Sequence, residues 1–214
     1  ITEIRYVEGQ YALWDQLLQR HPGLIIDNCA SGGRRIDLES ISRATPLWRT
    51  DFTVGHADVT PVQAHTWGMM HWVPITGTGG GYLHQWDRYT LRSKMCASLV
   101  VGLWGHGDAP QGEIPDDYPY EHARELLEEY LLCRPYFYGD FYPLTEYTLA
   151  EDTWMAYQLH LPAKDEGLLV VLKRPRSPYK EATFHPRALQ PEVRYAFETL
   201  DGSVGLGGSG ALLM

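Results

Sequence analysis

The order of apolar and polar positions predicts alternating helices and short strands in the first half of the chain. Residues 4–20 repeat apolar side chains every three or four positions, which is typical of an amphipathic helix. Three short apolar runs follow, and each predicts a strand: Leu24–Asn28, Leu47–Phe52 and Ile75–Gly81. Residues 37–44 predict one or two helical turns, and the long apolar pattern of 88–104 predicts a single helix.

The second half of the chain has a different pattern. One more helix is predicted at about 121–133, and from residue 136 the runs become strand-like and are separated by turn residues. The predicted strands are Trp154–Leu161, Gly167–Leu172 and Val193–Thr199. We therefore divide the chain into an α/β part at 1–135, an antiparallel β domain at 136–203 and a glycine-rich tail at 204–214.

Alternation of strands and helices is typical of parallel sheets with right-handed crossovers. A closed (β/α)8 barrel of the TIM type needs about eight strands, and only three are predicted here. The predicted fold class is therefore α/β, with a partial barrel made of the last three βα units, followed by an antiparallel, sandwich-like β domain. The chain also starts at Ile1 within a helical pattern, which predicts a portion of a longer protein.

Composition narrows the classes of partner. The net charge is −9 with no long basic run, which disfavours nucleic acid and anionic membrane surfaces. The three cysteines are widely spaced, as in a cytoplasmic protein with reduced thiols, and no apolar run is long enough to span a membrane. Seven Trp and fourteen Tyr suit a core, and they also suit a protein that binds sugar rings.

Two carboxylates follow predicted strands, where parallel α/β proteins place their active sites. Asp27 ends the first strand and Asp51 ends the second, and a turn sequence, Ser31-Gly32-Gly33, lies between them. From the pattern alone, a solvated loop position explains either carboxylate as well as an active-site role does. Cys29 could be a nucleophile, but no histidine lies at a recognisable motif spacing. We therefore favour the interpretation that the glycines after Cys29 let a ligand approach the backbone closely.

Other candidate motifs are weaker. The glycine run of residues 76–81 lacks the Gly-Lys-Ser/Thr ending of a phosphate loop and predicts a loop at a barrel mouth. His84, Asp87 and His106 match no metal spacing, so neither a metal nor another cofactor is predicted.

The run from Asp27 to Glu39, followed by Trp48-Arg49-Thr50-Asp51, resembles the retaining α-galactosidases of glycoside hydrolase family 36, the melibiase group. The family pattern is a Cys-x-Ser-Gly-Gly turn after one barrel strand and a Trp-x-Ser/Thr-Asp at the end of the next. The resemblance implies that Asp51 is the general acid/base. It also implies that Cys29 and Gly32 line the galactose pocket. Asp27 and Trp48 are further candidates for substrate binding, and Asp27 is expected to support the turn at Cys29. The family nucleophile lies on a strand that would precede Ile1.

Three functions remain open. The first is an α-galactosidase segment that carries the acid/base without the nucleophile. The second is a partial-barrel glycosidase that self-associates through its exposed sheet edge and uses Asp27 together with Asp51. The third is a carbohydrate-binding remnant with no catalytic activity. The predicted ligand in each case is an α-galactoside or another small carbohydrate.

Overall fold

The computed structural model describes residues 2–53, 58–73, 75–102 and 114–201, together with the backbone of 207–209. The helices are α1 (Thr2–Arg20), α2 (Leu38–Ile41), α3 (Val59–Met69), α4 (Arg88–Lys94) and α5 (Tyr120–Cys133). The strands are β1 (Gly77–Tyr82), β2 (Ser98–Gly102), β3 (Asp140–Pro143), β4 (Trp154–Leu161), β5 (Glu166–Lys173), β6 (Arg194–Ala196) and β7 (Gly207–Ser209). Short 3-10 turns lie at Asp51–Thr53, Leu83–Gln85 and Arg134–Tyr138.

Four segments lie side by side in the first half, and the first pair and the last pair are parallel. Asp27 forms an isolated parallel bridge with Thr45, and the N–H of Gly77 donates to the carbonyl of Pro46 at 3.0 Å. Strand β1 then pairs in parallel with β2. The lateral order therefore follows the chain order, as it does between neighbouring strands of a β/α barrel.

The first two of these segments correct the sequence prediction. Within the described residues, neither 24–28 nor 47–52 forms a hydrogen-bonded ladder, and the second segment ends in the 3-10 turn at Asp51. The buried strand predicted at Leu24 is instead exposed, and 74% of the surface of Ile25 is accessible to solvent. A parallel strand becomes regular when it has neighbours on both sides and is covered on both faces, and among the described residues this segment pairs with one neighbour.

The predicted helix at 88–104 is also wrong in its second half. Asp87 caps α4 by accepting the N–H of Thr90 at 2.7 Å, and the helix stops at Lys94 because Met95 is extended. Strand β2 follows at once. Its Leu99-Val100-Val101 sequence favours a strand, since β-branched side chains pack well on a pleated surface.

The antiparallel pairing predicted after residue 136 is confirmed. Strands β3, β4 and β5 form one sheet, in which β4 and β5 make the predicted hairpin over their full eight-residue lengths. Strand β6 is shorter than the predicted Val193–Thr199 and pairs with β7, which lies inside the glycine-rich tail. The helix predicted at 121–133 is found as α5.

One hydrophobic core connects the two halves of the chain. It contains side chains from α4, α5, β4 and β5, among them Leu91, Leu126, Leu159 and Leu172. Helix α1 lies outside it: the helix is formed as predicted, yet among its described residues none is fully buried.

Candidate functional site

The Ser-Gly-Gly turn is held in place by a buried asparagine. Asn28 is only 3% exposed, and its side-chain Nδ2 donates to the carbonyl of Arg35 at 2.7 Å, which closes the loop between them. Ser31, Gly32 and Gly33 have φ angles of 49°, 66° and 91°. Three successive residues in this left-handed region explain the two glycines, because a Cβ is unfavourable there.

The same glycines pack directly against the segment that ends at Asp51. A Cβ built on Gly32 would lie 2.4 Å from the backbone nitrogen of Asp51 and 2.8 Å from its Oδ1. A Cβ on Gly33 would lie 2.1 Å from the carbonyl oxygen of Arg49. Only glycine fits at either position, so the two halves of the sequence motif are also in contact in space.

Asp51 is oriented by the tryptophan three residues before it. The indole N–H of Trp48 donates to Oδ1 of Asp51 at 2.8 Å, and both residues border the 3-10 turn. Among the residues that the structure describes, no donor reaches the other carboxylate oxygen, Oδ2. Asp51 is solvent-exposed, so Oδ2 is accessible to a molecule that approaches from solvent.

Asp27 and Cys29 differ from Asp51 in their contacts. Asp27 accepts the backbone N–H of Leu47 on Oδ1 at 3.2 Å, beside its backbone bridge to Thr45. It therefore connects the first parallel segment to the second. Cys29 is a free, exposed thiol in the loop between Asn28 and the glycine turn.

Beneath the site lies a buried cation that the sequence analysis did not identify. Arg49 is 2% exposed and donates to the hydroxyl of Thr66 on α3 at 2.6 Å. Burial lowers the pKa of the Arg49 guanidinium below its ordinary value. The pKa of neighbouring His65 is lowered to about 4, first by its own burial and then by the positive charge of Arg49. Both shifts follow from the cost of burying a positive charge.

The geometry thus joins four residues from the sequence motif: Gly32 and Gly33 contact the 49–51 segment, and Trp48 contacts Asp51. Asp27 and Cys29 lie on the adjacent segment and loop. Asn28 and Arg49 were not predicted to matter. An asparagine shortly before a glycine turn is a local signal for the first. For the second, an arginine between Trp and Thr carries no sequence signal that distinguishes a buried from a solvated side chain.

Among the described residues no group of three or more His, Cys, Asp or Glu side chains is placed to hold a metal, and His106 lies outside those residues. In the described part of the chain, no helix is long and apolar enough to cross a membrane.

Comparison with known proteins points to one class of enzyme. The chain is 24% identical over 217 residues to the bifunctional α-galactosidase/sucrose kinase of Mediterraneibacter gnavus, an alignment that covers 98% of this chain and 22% of that protein. The crystal structure of an α-galactosidase from Lactobacillus brevis has a similar fold, with a TM-score of 0.69 and 19% identity, over 98% of this chain and 28% of that one. No protein-family profile matches. The chain is therefore related to part of the α-galactosidases and spans between about a fifth and a third of their length.

Proposed function

We propose that this chain carries the acid/base half of a retaining α-galactosidase site, with Asp51 as the proton donor and acceptor. The contact that supports this assignment is the 2.8 Å hydrogen bond from Trp48 to Oδ1 of Asp51. That bond fixes the carboxylate and leaves Oδ2 available to protonate the leaving oxygen of a glycoside. General acid catalysis requires a proton at a defined position relative to the reacting atom.

The glycine turn forms the second part of the proposed site. The backbone of Gly32 lies against Asp51, because the absence of a side chain at position 32 lets this residue pack directly on the turn. Cys29 is exposed in the same loop, and Asp51 is exposed as well. In this proposal a sugar ring binds on the exposed side of the turn and the carboxylate. Trp48, half-buried beside them, offers an apolar ring face as well as its N–H.

Retaining glycosidases need a second carboxylate about 5–5.5 Å from the acid/base to attack the anomeric carbon. We propose that this nucleophile comes from a strand beside the Asp27 segment that lies outside this chain. The division of the chain into a partial barrel at 1–135 and a β domain at 136–203 is part of the same proposal, as is the carbohydrate ligand.

A small anion can replace the missing carboxylate in a direct test. Azide attacks the anomeric carbon of an aryl α-galactoside, the bond to the aryl oxygen breaks, and Asp51 donates its proton to that oxygen. With phenyl α-galactoside, whose leaving group needs the proton, we expect Asp51→Asn to lower the azide-dependent rate by about 100-fold or more. With the 2,4-dinitrophenyl glycoside, whose leaving group needs no proton, the two proteins should react at similar rates.

The matched control is Asp152→Asn, which removes an exposed carboxylate in the β domain. It should leave both rates unchanged. Equal loss of rate with the two glycosides in Asp51→Asn would contradict the acid/base role. Galactose binding by calorimetry without any azide-dependent cleavage would instead support the non-catalytic, carbohydrate-binding alternative.

The self-associating alternative pairs Asp27 with Asp51. Asp27 accepts the backbone N–H of Leu47 beside its own backbone bridge to Thr45, and this connection between two backbone segments favours a structural role for the carboxylate. Azide-independent hydrolysis that is lost in both Asp27→Asn and Asp51→Asn, together with a dimer by sedimentation, would establish the paired site. A monomer throughout the concentration range of the assay would exclude it.

A further inference from the structure

Two buried cations lie beneath the 3-10 turn that carries Asp51. Arg49 precedes this turn by two residues and is 2% exposed, and Lys94, the last residue of α4, is 1% exposed. The Nζ of Lys94 donates to the carbonyl of Thr53, the last residue of the turn, at 3.1 Å. A buried positive charge is therefore attached to each end of the segment that presents Asp51.

Within the described part of the chain, neither cation is paired with a carboxylate. Arg49 donates from Nη2 to the hydroxyl of Thr66, and its Nε and Nη1 have no acceptor there. Lys94 contacts only neutral groups: the carbonyl of Thr53 and the ring of Trp86, whose centroid lies 5.1 Å from Nζ. The guanidinium of Arg49 thus keeps unused N–H donors in a place that water does not reach.

The two positive charges also act on each other. The pKa of Lys94 is lowered first by its burial and then by the positive charge of Arg49. Arg49 keeps its proton at neutral pH, because a guanidinium is too basic to lose it in a protein. Burying a cation is costly unless a counter-charge accompanies it. Arg92, which is only partly buried, already has two such partners, Glu129 and Asp201.

We propose that Arg49 binds a small monovalent anion, such as chloride, with Lys94 as the second cation of the site. The unused N–H groups of the guanidinium are the donors that an anion requires, and its negative charge offsets both cations. Because both side chains are enclosed, the site favours a monatomic, singly charged ion. Sulfate and phosphate lose more hydration energy on burial, and gluconate, a large organic anion, should not enter.

The test compares the stability of the full chain in sodium chloride and in sodium gluconate at the same ionic strength. A ligand that binds only the folded chain raises the folding equilibrium constant by one plus the ratio of ligand concentration to Kd. At ten times Kd, chloride should therefore raise this constant about tenfold in urea unfolding. Above Kd the constant should increase in proportion to chloride, as one ion per chain requires. Equal stability in the two salts would overturn the proposal.

Substitutions assign the effect to Arg49. Arg49→Met removes the guanidinium and should abolish the chloride dependence, and Lys94→Met should weaken chloride binding at least about fivefold, because one cation of the site is lost. The matched control is Arg176→Met, which removes an arginine whose side chain is 78% exposed and paired with Glu151. It should keep the wild-type dependence. A full chloride effect in Arg49→Met would place the anion elsewhere and refute the assignment.

A measurement on the unmodified chain avoids any folding defect of these variants. In chlorine NMR spectra, the folded chain should broaden the chloride line more than the urea-unfolded chain does, and bromide but not gluconate should remove the excess. No excess broadening, or an excess that bromide does not displace, would refute the proposal. Neither measurement requires cleavage of a glycoside, so both outcomes are independent of the role proposed for Asp51.

Discussion

The contact between Gly32 and Asp51 predicts a large and local effect of one methyl group. In Gly32→Ala the residue keeps a φ of 66°, which costs an alanine about 1–2 kcal/mol. The new Cβ would also lie 2.4 Å from the Asp51 nitrogen and 2.6 Å from its Cγ. Relieving such contacts in a packed region costs about 1–3 kcal/mol more. We therefore expect a total loss of about 2–5 kcal/mol in the free energy of unfolding, which is the sum of these two costs.

Gly23→Ala is a matched control. Gly23 also has a left-handed φ, 90°, but a Cβ there would meet nothing within 4 Å. It should lose only the conformational cost of about 1–2 kcal/mol. Urea unfolding followed by circular dichroism gives both free energies by linear extrapolation. Calorimetry adds a functional measurement, and galactose binding should be weakened in Gly32→Ala alone. If the two variants are equal in stability and in galactose binding, the proposed contact does not constrain Asp51.

Three further predictions concern stability. Because the pKa of His65 is about 4 in the folded chain and about 6.5 when unfolded, the unfolded chain takes up the proton first. The free energy of unfolding should therefore be highest above pH 6.5 and decrease by about 1–2 kcal/mol as the pH falls to 4, allowing for partial solvent screening. In urea titrations, His65→Gln should remove this part of the pH dependence. Arg174→Met should lower the free energy of unfolding by about 3–5 kcal/mol, because Arg174 is 1% exposed and donates to Gln63 and to the carbonyls of Thr148 and Ala150. An unchanged urea midpoint of unfolding would contradict a stabilising role for these bonds. Gly9→Ala should instead stabilise the exposed helix α1 by about 0.5–1 kcal/mol, because a Cβ at position 9 meets nothing within 4 Å and alanine favours the helix. The melting temperature should rise, and a fall would show that position 9 does not tolerate a side chain.

The sequence predicted elements well where a strong local pattern decides the structure. Helices α1 and α5 and the β4–β5 hairpin were predicted because each has a clear apolar period and turn residues at its ends. Prediction failed where contacts with distant segments determine the secondary structure. Residues 24–28 have the composition of a buried strand but contact a single parallel neighbour, and residues 88–104 contain a helix and a strand within one continuous apolar run.

The candidate site divides in the same way. The glycines and Asp51 were predicted from a local motif, and their contact in space was not, because only the fold determines the path of residues 45–51. Burial of Arg49 depends on residues far away in the sequence, such as Thr66 on α3. No local pattern indicates such long-range surroundings.

The closeness of the glycine turn and Asp51 along the chain has a consequence for the order of folding. They are separated by about twenty residues, so bringing them together costs about 2.6 kcal/mol of loop-closure entropy, apart from a constant. The bond between Arg174 and Gln63 closes a much longer loop, because the two residues are 111 positions apart. The carboxylate and its turn can therefore form from short-range contacts early in folding, and they do not depend on a closed barrel.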